Sequence, residues 1–380
     1  MTAYLDNSAT TRPSEAVIAA MEHCMREGFY NPSSLYAPAM EAEKQLKRAR
    51  AVIEEILHAP AGQLLFTSGG TEANNLALMG SVEAMYGMRH LAVSRVEHPS
   101  VLEAARALER LGHRLSLIRV DGTGEPDWAQ LEDLLERDPP DLISMMQVNN
   151  ETGAVLDVRK LSKLARRLSP NTLLHLDGVQ GFLRLPTDAR LFDLYTLSAH
   201  KIHGPKGVGA LWVRKGVRLA PRQLGGDQED GLRSGTENTP GIAGLLAAVE
   251  RYPASAAKTM MELKMRLLKG MRERIPDLKV NGPDPGAGAP HILNLSFPGV
   301  RGEVLLHALE AKGVYVSTGA ACSSKKRKVS GVLSAMGIPL DVAEGALRFS
   351  LCPDTRESQI DYACRCTGEL YDTLKRFRRK

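Results

Sequence analysis

Lys201 stands where the strand-like LYTLS (194–198) runs into the Gly/Pro-rich loop AHKIHGPKGVG (199–209). His200, His203 and Lys206 crowd around it. A buried lysine among cationic groups gives up its proton more readily and becomes an amine able to form a Schiff base. Most lysines are solvated surface groups instead, and the crowding argues against that reading here. Cys322 lies in STGAACSSKKRK (317–328), with four cations beginning three positions later. Small neighbours imply an accessible loop, and nearby cations favour the thiolate, the nucleophilic form. A buried, inert thiol is the alternative, and the Ser/Gly/Lys composition does not suit it.

Two further polar clusters end apolar segments. TSGGTEANN (67–75) follows LLFT (64–67). Gly69 and Gly70 allow a tight turn, and Thr71 opens a helix whose free N–H groups and dipole suit a phosphate. Taken alone, an ordinary strand–helix turn has the same appearance. In HLDGVQG (175–181), Asp177 closes an apolar strand, where a carboxylate is costly unless paired. The protonated ring nitrogen of pyridoxal phosphate is a suitable partner, because a protonated ring acts as an electron sink. An aspartate that caps the next turn reads equally well. Ser198 and His200 would add donors for the phosphate.

These residues need a scaffold that brings strand ends together. From about Ser14 to Val213, helical stretches alternate with the short apolar segments LLFT, HLAVS (90–94), LSLIRV (115–120), LISMMQ (142–147), LLHLD (173–177), LYTLS and GALWV (209–213). Such alternation predicts an α/β fold with a mainly parallel seven-stranded sheet covered on both faces. Ligands gather outside the carboxyl ends of such strands. After Arg251 the pattern changes. A long helix (254–275), a Gly/Pro-rich turn (281–290), strands at 291–297, 314–318 and 347–351 and a helix at 302–312 read as a smaller α+β unit. The expected division is a large unit over 14–253 and a small one made of 1–13 and 254–380, the latter carrying the cysteine loop.

The bulk numbers agree. A chain of 380 residues suits one large domain plus a smaller one, and 43% hydrophobic residues supply a core. A net charge of +5 without a concentrated basic face does not point to nucleic acid. No apolar run is long enough to span a membrane, and MTAYLDNSATT lacks the pattern of a signal peptide. Five cysteines, an odd and low count, fit a reducing cytoplasm better than a disulfide scaffold. Cys364 and Cys366 form a C-x-C with no His nearby, so no metal site is expected. Cys24 reads as packing. The basic tail LKRFRRK (374–380) and the KKRK run (325–328) read as solvated charge, although KKRK could also lower the Cys322 pKa or meet an acidic acceptor.

Together these segments resemble the cysteine desulfurases, in the class V branch of fold-type I pyridoxal-phosphate enzymes. The resemblance runs through YLDNSATT (4–11), NPSS (31–34), TSGGTEANN, EHPSV (97–101), VNNETG (148–153), HLDGVQG, SAHKIHGPKGVGAL, RSGTEN (233–238), GAACSS (319–324) and RFSL (348–351). It implies a homodimeric enzyme that converts L-cysteine to L-alanine. The sulfur would leave as a persulfide on Cys322 for an acceptor protein, such as an iron–sulfur scaffold or a tRNA-thiolation enzyme. It implies that Lys201 holds the cofactor and moves the Cα proton, and that His98 stacks on the ring. Asp177 would pair with the ring nitrogen and Gln180 with the ring hydroxyl. Gly70, Thr71, Ser198 and His200 would hold the phosphate, joined by Thr236 from the neighbouring subunit. Asn31, Asn150 and Arg348 would orient the substrate carboxylate, with Asn150 also at the cofactor. Tyr36 stands where the family often has His, and Cys352-Pro353 where it often has Gly-Arg; both concern the rim of the site. A selenocysteine lyase would share most of these residues. A class V aminotransferase would not need Cys322, and a non-catalytic scaffold would need neither Cys322 nor Lys201.

Overall fold

The structure is a computed structural model and describes residues 1–59, 61–319 and 329–377. Cys322 and the KKRK run lie outside the described residues.

All seven apolar segments between residues 64 and 213 are strands of one sheet. They are β1 (Gly62–Thr67), β2 (His90–Ser94), β3 (Arg114–Ile118), β4 (Leu142–Met146), β5 (Leu173–Asp177), β6 (Leu194–Ser198) and β7 (Gly209–Arg214). Their order is β1-β7-β6-β5-β4-β2-β3. Only β7 runs against the rest, since it pairs antiparallel with both β1 and β6. Every residue of β2, β4 and β6 is buried, which explains continuous apolar runs rather than alternation. Helices cover both faces. Leu46, Ile53, Leu161 and Leu245 pack on one side and Leu76, Val101 and Leu108 on the other. Each such side chain contributes about 1.5–3 kcal/mol on burial.

The chain moves from β2 outward to β3, then returns to β4 on the far side of β2. This reversal opens a crevice at the carboxyl ends of β2 and β4, a natural ligand position in an open α/β sheet. Register brings the other ends level with it. Met146 pairs with Asp177, Asp177 with Thr196, and Ser198 with Gly209, which also faces Thr67. Gly209 lets the turn after β1 cross the sheet edge closely, because a Cβ there would lie 2.6 Å from the Gly69 carbonyl carbon.

A second core lies beyond the sheet. The helices Ala256–Arg274 and Glu357–Phe377 pack beside a three-stranded antiparallel sheet, Lys279–Asn281, Ile292–Ser296 and Ala346–Ser350. Phe297 and Phe349 are fully buried in it. The N-terminus joins this core through Ala3 and Leu5, and Ala3–Tyr4 pairs in parallel with Val314–Tyr315. The predicted strand at 314–318 is therefore shorter than its apolar run. It continues only as a bridge between Ser317 and Arg348.

Candidate active site

Lys201 follows β6 in a single 3-10 turn, Ala199–Lys201. Its Nζ donates to the main-chain oxygens of Ser8 at 2.8 Å and Ala9 at 2.7 Å. The N-terminal segment thus folds over the lysine, held by Thr11, whose N–H and Oγ1 both donate to the His200 oxygen at 2.9 Å. Arg184, buried beneath the loop, donates to the main-chain oxygen of Lys201. His200 Nδ1 lies 3.1 Å from Thr10 Oγ1. Burial first, then Lys201, Lys206 and Arg184, push the His200 pKa down to about 4, so its ring is neutral.

Asp177 ends β5, with only 5% of its surface exposed. One carboxylate oxygen accepts from Val179 N at 3.0 Å and the other from Asn74 Nδ2 at 2.7 Å. The same Asn74 amide reaches Ser100 Oγ at 2.8 Å, and Ser100 Oγ lies 2.8 Å from His98 Nδ1. His98 caps the helix Pro99–Arg110 by accepting from Ser100 N. Its pKa is lowered by burial and by Lys201, with Asp177 pulling the other way. A neutral imidazole here presents a flat apolar face.

Gln180 donates to Ser8 O at 2.9 Å, the same oxygen that Lys201 uses, and faces His291 Nε2 at 3.2 Å. His291 is fully buried, and burial holds its pKa well below the ordinary value. Gly70 begins the helix Gly70–Asn75, which continues through a π turn into Ser81–Glu83. A Cβ at Gly70 would stand 2.7 Å from Val179 Cγ2 and 3.6 Å from Ser198 Cβ, so the helix start sits against the ends of β5 and β6. Thr71 is exposed at this mouth.

Arg348 is buried, with 4% of its side chain exposed. It donates to Asp6 Oδ1 at 2.6 Å and to Asn150 O at 2.8 Å. Asn150 meets the arginine through its carbonyl. The guanidinium keeps one buried N–H, at Nε, without a hydrogen-bond partner among the described residues.

Two predicted residues stand apart from this cluster. Asn31 is exposed and accepts from Ser33 N at 3.0 Å; no hydrogen bond joins it to the residues above among those described. Thr236 lines a separate cleft of about 190 Å³ with Thr67, Ser68, Gly207 and Arg233. Asp6, Ser8, Asn74, Ser100 and His291 belong to the cluster but carry no role in the sequence reading. Asp6 and Ser8 lie inside YLDNSATT and Asn74 inside TSGGTEANN, so motif membership was their only signal.

The residues fit pyridoxal phosphate. Lys201 supplies an amine, Asp177 a buried carboxylate, and Gly70 a helix start pressed against both strand ends. Around them, Ser8 Oγ, Asn74 Oδ1 and His291 Nδ1 are buried polar atoms without partners among the described residues, as expected where a polar ligand completes the set. Sheet order and the strand-end site are those expected of a fold-type I pyridoxal-phosphate enzyme.

A family model described as aminotransferase class-V matches residues 3–363. A cysteine desulfurase of Cereibacter sphaeroides is 40% identical over 98% of this chain and 96% of its own length. A cysteine desulfurase of Trichormus azollae is 37% identical, covering 98% of this chain and 93% of itself. Among solved structures, a NifS-like protein superposes with a TM-score of 0.91 at 34% identity, covering 98% of this chain and all of its own. The structure described as SspA in complex with cysteine superposes with a TM-score of 0.81 at 31% identity, over 93% of this chain and 99% of its own. The chain belongs to the class-V aminotransferase family, within its cysteine desulfurases.

Proposed function

We propose that this protein removes sulfur from L-cysteine and releases L-alanine, with the sulfur passing first to Cys322. One observation supports this most directly. A buried carboxylate (Asp177) and an amine (Lys201) stand at the carboxyl ends of adjacent central strands, and the N-terminal segment bonds both that amine and a buried guanidinium (Arg348). The cysteine desulfurase relatives supply the substrate class.

Pyridoxal phosphate, when bound, supplies an electron-withdrawing ring that absorbs the charge left by a departing Cα proton. Lys201 would carry it, Asp177 would face its ring nitrogen, His98 its ring face and Gln180 its ring hydroxyl. Gly70, Thr71, Ser198 and His200 would face its phosphate, joined by Thr236 from a second copy in a homodimer. Arg348 would bind the substrate carboxylate through a charge-assisted contact. Asn31 and Asn150 would line the same end, Asn150 reaching the cofactor as well. Lys201 removes the Cα proton, and such a placed base contributes roughly 10²–10⁴-fold in rate. The Cys322 thiolate attacks the substrate sulfur. A sulfur–sulfur bond forms on Cys322 as the carbon–sulfur bond breaks, its electron pair staying with the carbon skeleton, which takes up a proton at Cβ and regains one at Cα to leave as alanine. The persulfide sulfur then passes to an acceptor protein, of the kind that builds iron–sulfur clusters or thiolates tRNA.

Among the described residues no helix is long and apolar enough to cross a membrane. The low, odd cysteine count fits a reducing compartment, and on that ground we place the protein in the cytoplasm. The test is purified, cofactor-loaded protein mixed with L-cysteine and a thiol reductant. Alanine and sulfide should appear in equal amounts, and Cys322→Ala should release neither persulfide nor sulfide. Full-rate desulfuration by Cys322→Ala would refute the assignment of the sulfur acceptor.

A further inference from the structure

Glu151 lies in the turn after β4 and has no part in the chemistry above. It is 7% exposed, and its carboxylate bonds the chain after residues 320–328 and lies close to the chain before them. On the far side, Ser330 Oγ donates to Glu151 Oε2 at 2.5 Å. The same Ser330 oxygen accepts from Val332 N and Leu333 N, both at 3.1 Å, and so caps the helix Gly331–Ala335. On the near side, Gly319 passes so close that a Cβ would lie 2.7 Å from Glu151 Oε2. Its φ of +78° also favours glycine. Gly319 N donates to Ser317 Oγ at 3.1 Å, and Ser317 exchanges two main-chain hydrogen bonds with Arg348.

Glu151 is itself held rigidly. Its N–H donates to Asn149 Oδ1 at 3.0 Å, and its carbonyl accepts from Asn294 Nδ2 at 3.1 Å. The adjacent Asn150 carbonyl holds Arg348. One carboxylate therefore bonds Ser330, which follows the segment containing Cys322, and lies against Gly319, which precedes it. Burying an acid is costly, and an apolar side chain of similar size would pack there without that penalty. A role in positioning explains why an oxygen stands here.

We propose that Glu151 is a positioning residue for sulfur transfer, fixing residues 319 and 330 so that Cys322 reaches the substrate sulfur. This rests on Cys322 as the acceptor. Only three residues separate Gly319 from position 322, so the chain bearing the thiol starts within about 10 Å of this anchor.

The test uses full-length, cofactor-loaded protein and sulfide release from L-cysteine with dithiothreitol. In Glu151→Ala, kcat should fall about ten- to a hundredfold, the cost of a misplaced reacting group. KM and the absorbance of the bound cofactor should stay at their parent values. Glu151→Gln keeps an oxygen for Ser330 and should retain most of the rate. Ser330→Ala should lose rate as Glu151→Ala does, and the double variant should be no worse than either single one. Should Glu151→Ala fail to fold, Ser330→Ala carries the same readout. Parent kcat in Glu151→Ala or Ser330→Ala, a matching rise in KM, or equal losses in the Gln and Ala variants would each overturn the proposal. Cys322→Ala run alongside separates the two ideas. If it is inactive while Glu151→Ala is fully active, only the role of Glu151 fails; if it is itself active, the Cys322 reading fails.

Discussion

Asn74 donates its amide to Asp177 Oδ2 at 2.7 Å, although the two residues stand 103 positions apart. Through Ser100 the same amide connects to His98, so the carboxylate and the neutral imidazole share one buried network. Asn74→Ala would leave that oxygen of Asp177 buried without its donor, at about 1–3 kcal/mol. Thermal melting should show the loss, and titration with pyridoxal phosphate should show weaker binding. Asn74→Asp should be worse on both counts, because it sets a second carboxylate beside the first. Parent-like melting and cofactor affinity in Asn74→Ala would mean that the network supports neither.

Arg348 is held from two sides, by Asp6 Oδ1 and Asn150 O. A lysine at this position cannot reproduce the planar fork. Arg348→Lys should raise KM for L-cysteine by about ten- to a hundredfold, the range of a lost charge-assisted hydrogen bond. The absorbance of the bound cofactor should not change. Steady-state kinetics with a spectrum of the same sample decides between this and a general disturbance of the site.

A Cβ on Gly70 would meet Val179 Cγ2 at 2.7 Å, where a branched side chain has little room to yield. Gly70→Ala should push the helix start away from the ends of β5 and β6. The protein should stay folded by circular dichroism yet lose pyridoxal phosphate on desalting. Full retention of the cofactor would remove Gly70 from its binding site.

His175 is fully buried in β5 between Ser144 Oγ at 2.7 Å and Thr196 Oγ1 at 3.1 Å, and burial pushes its pKa down to about 3. The unfolded chain protonates this histidine near pH 6.5 and the folded chain does not. Unfolding therefore takes up a proton between these values, and stability is lost as pH falls below about 6.5. At pH 5 the loss from His175 is about 2 kcal/mol. Glu97 acts in the opposite sense. Burial, then Asp177, raises its pKa well above the ordinary value, so its contribution is lost as pH rises. Comparison of His175→Gln with the parent isolates the histidine. Urea unfolding at pH 7.5 and 5.0 should show a smaller drop for the variant, and equal drops would contradict the account.

The strands were legible because each is a short apolar run bounded by polar turns. LLHLD and LYTLS end at Asp177 and Ser198, as their patterns require. Asp177 and Ser198, the polar residues that close those runs, also stand beside the site, while the polar residues inside the strands, Ser144, His175 and Thr196, bond to one another instead. The cleft holding Thr236 and the exposed turn of Asn31 were placed by motif alone, and neither joins the hydrogen-bonded cluster. The pairing of Asp6 with Arg348 had no local signal, because 342 residues separate them.

The amino-acid order by itself determined the fold class, the strand ends and the chemical types gathered there, since periodicity and turn chemistry act over a few residues. Only tertiary structure decided which of those groups meet. Lys201 and Gln180 share the Ser8 oxygen, Asn74 faces Asp177, and Glu151 lies between Gly319 and Ser330. Each of these contacts depends on how distant segments stack once the sheet is covered. Burial makes an unpaired polar atom costly, and it is the folded geometry that supplies the partner.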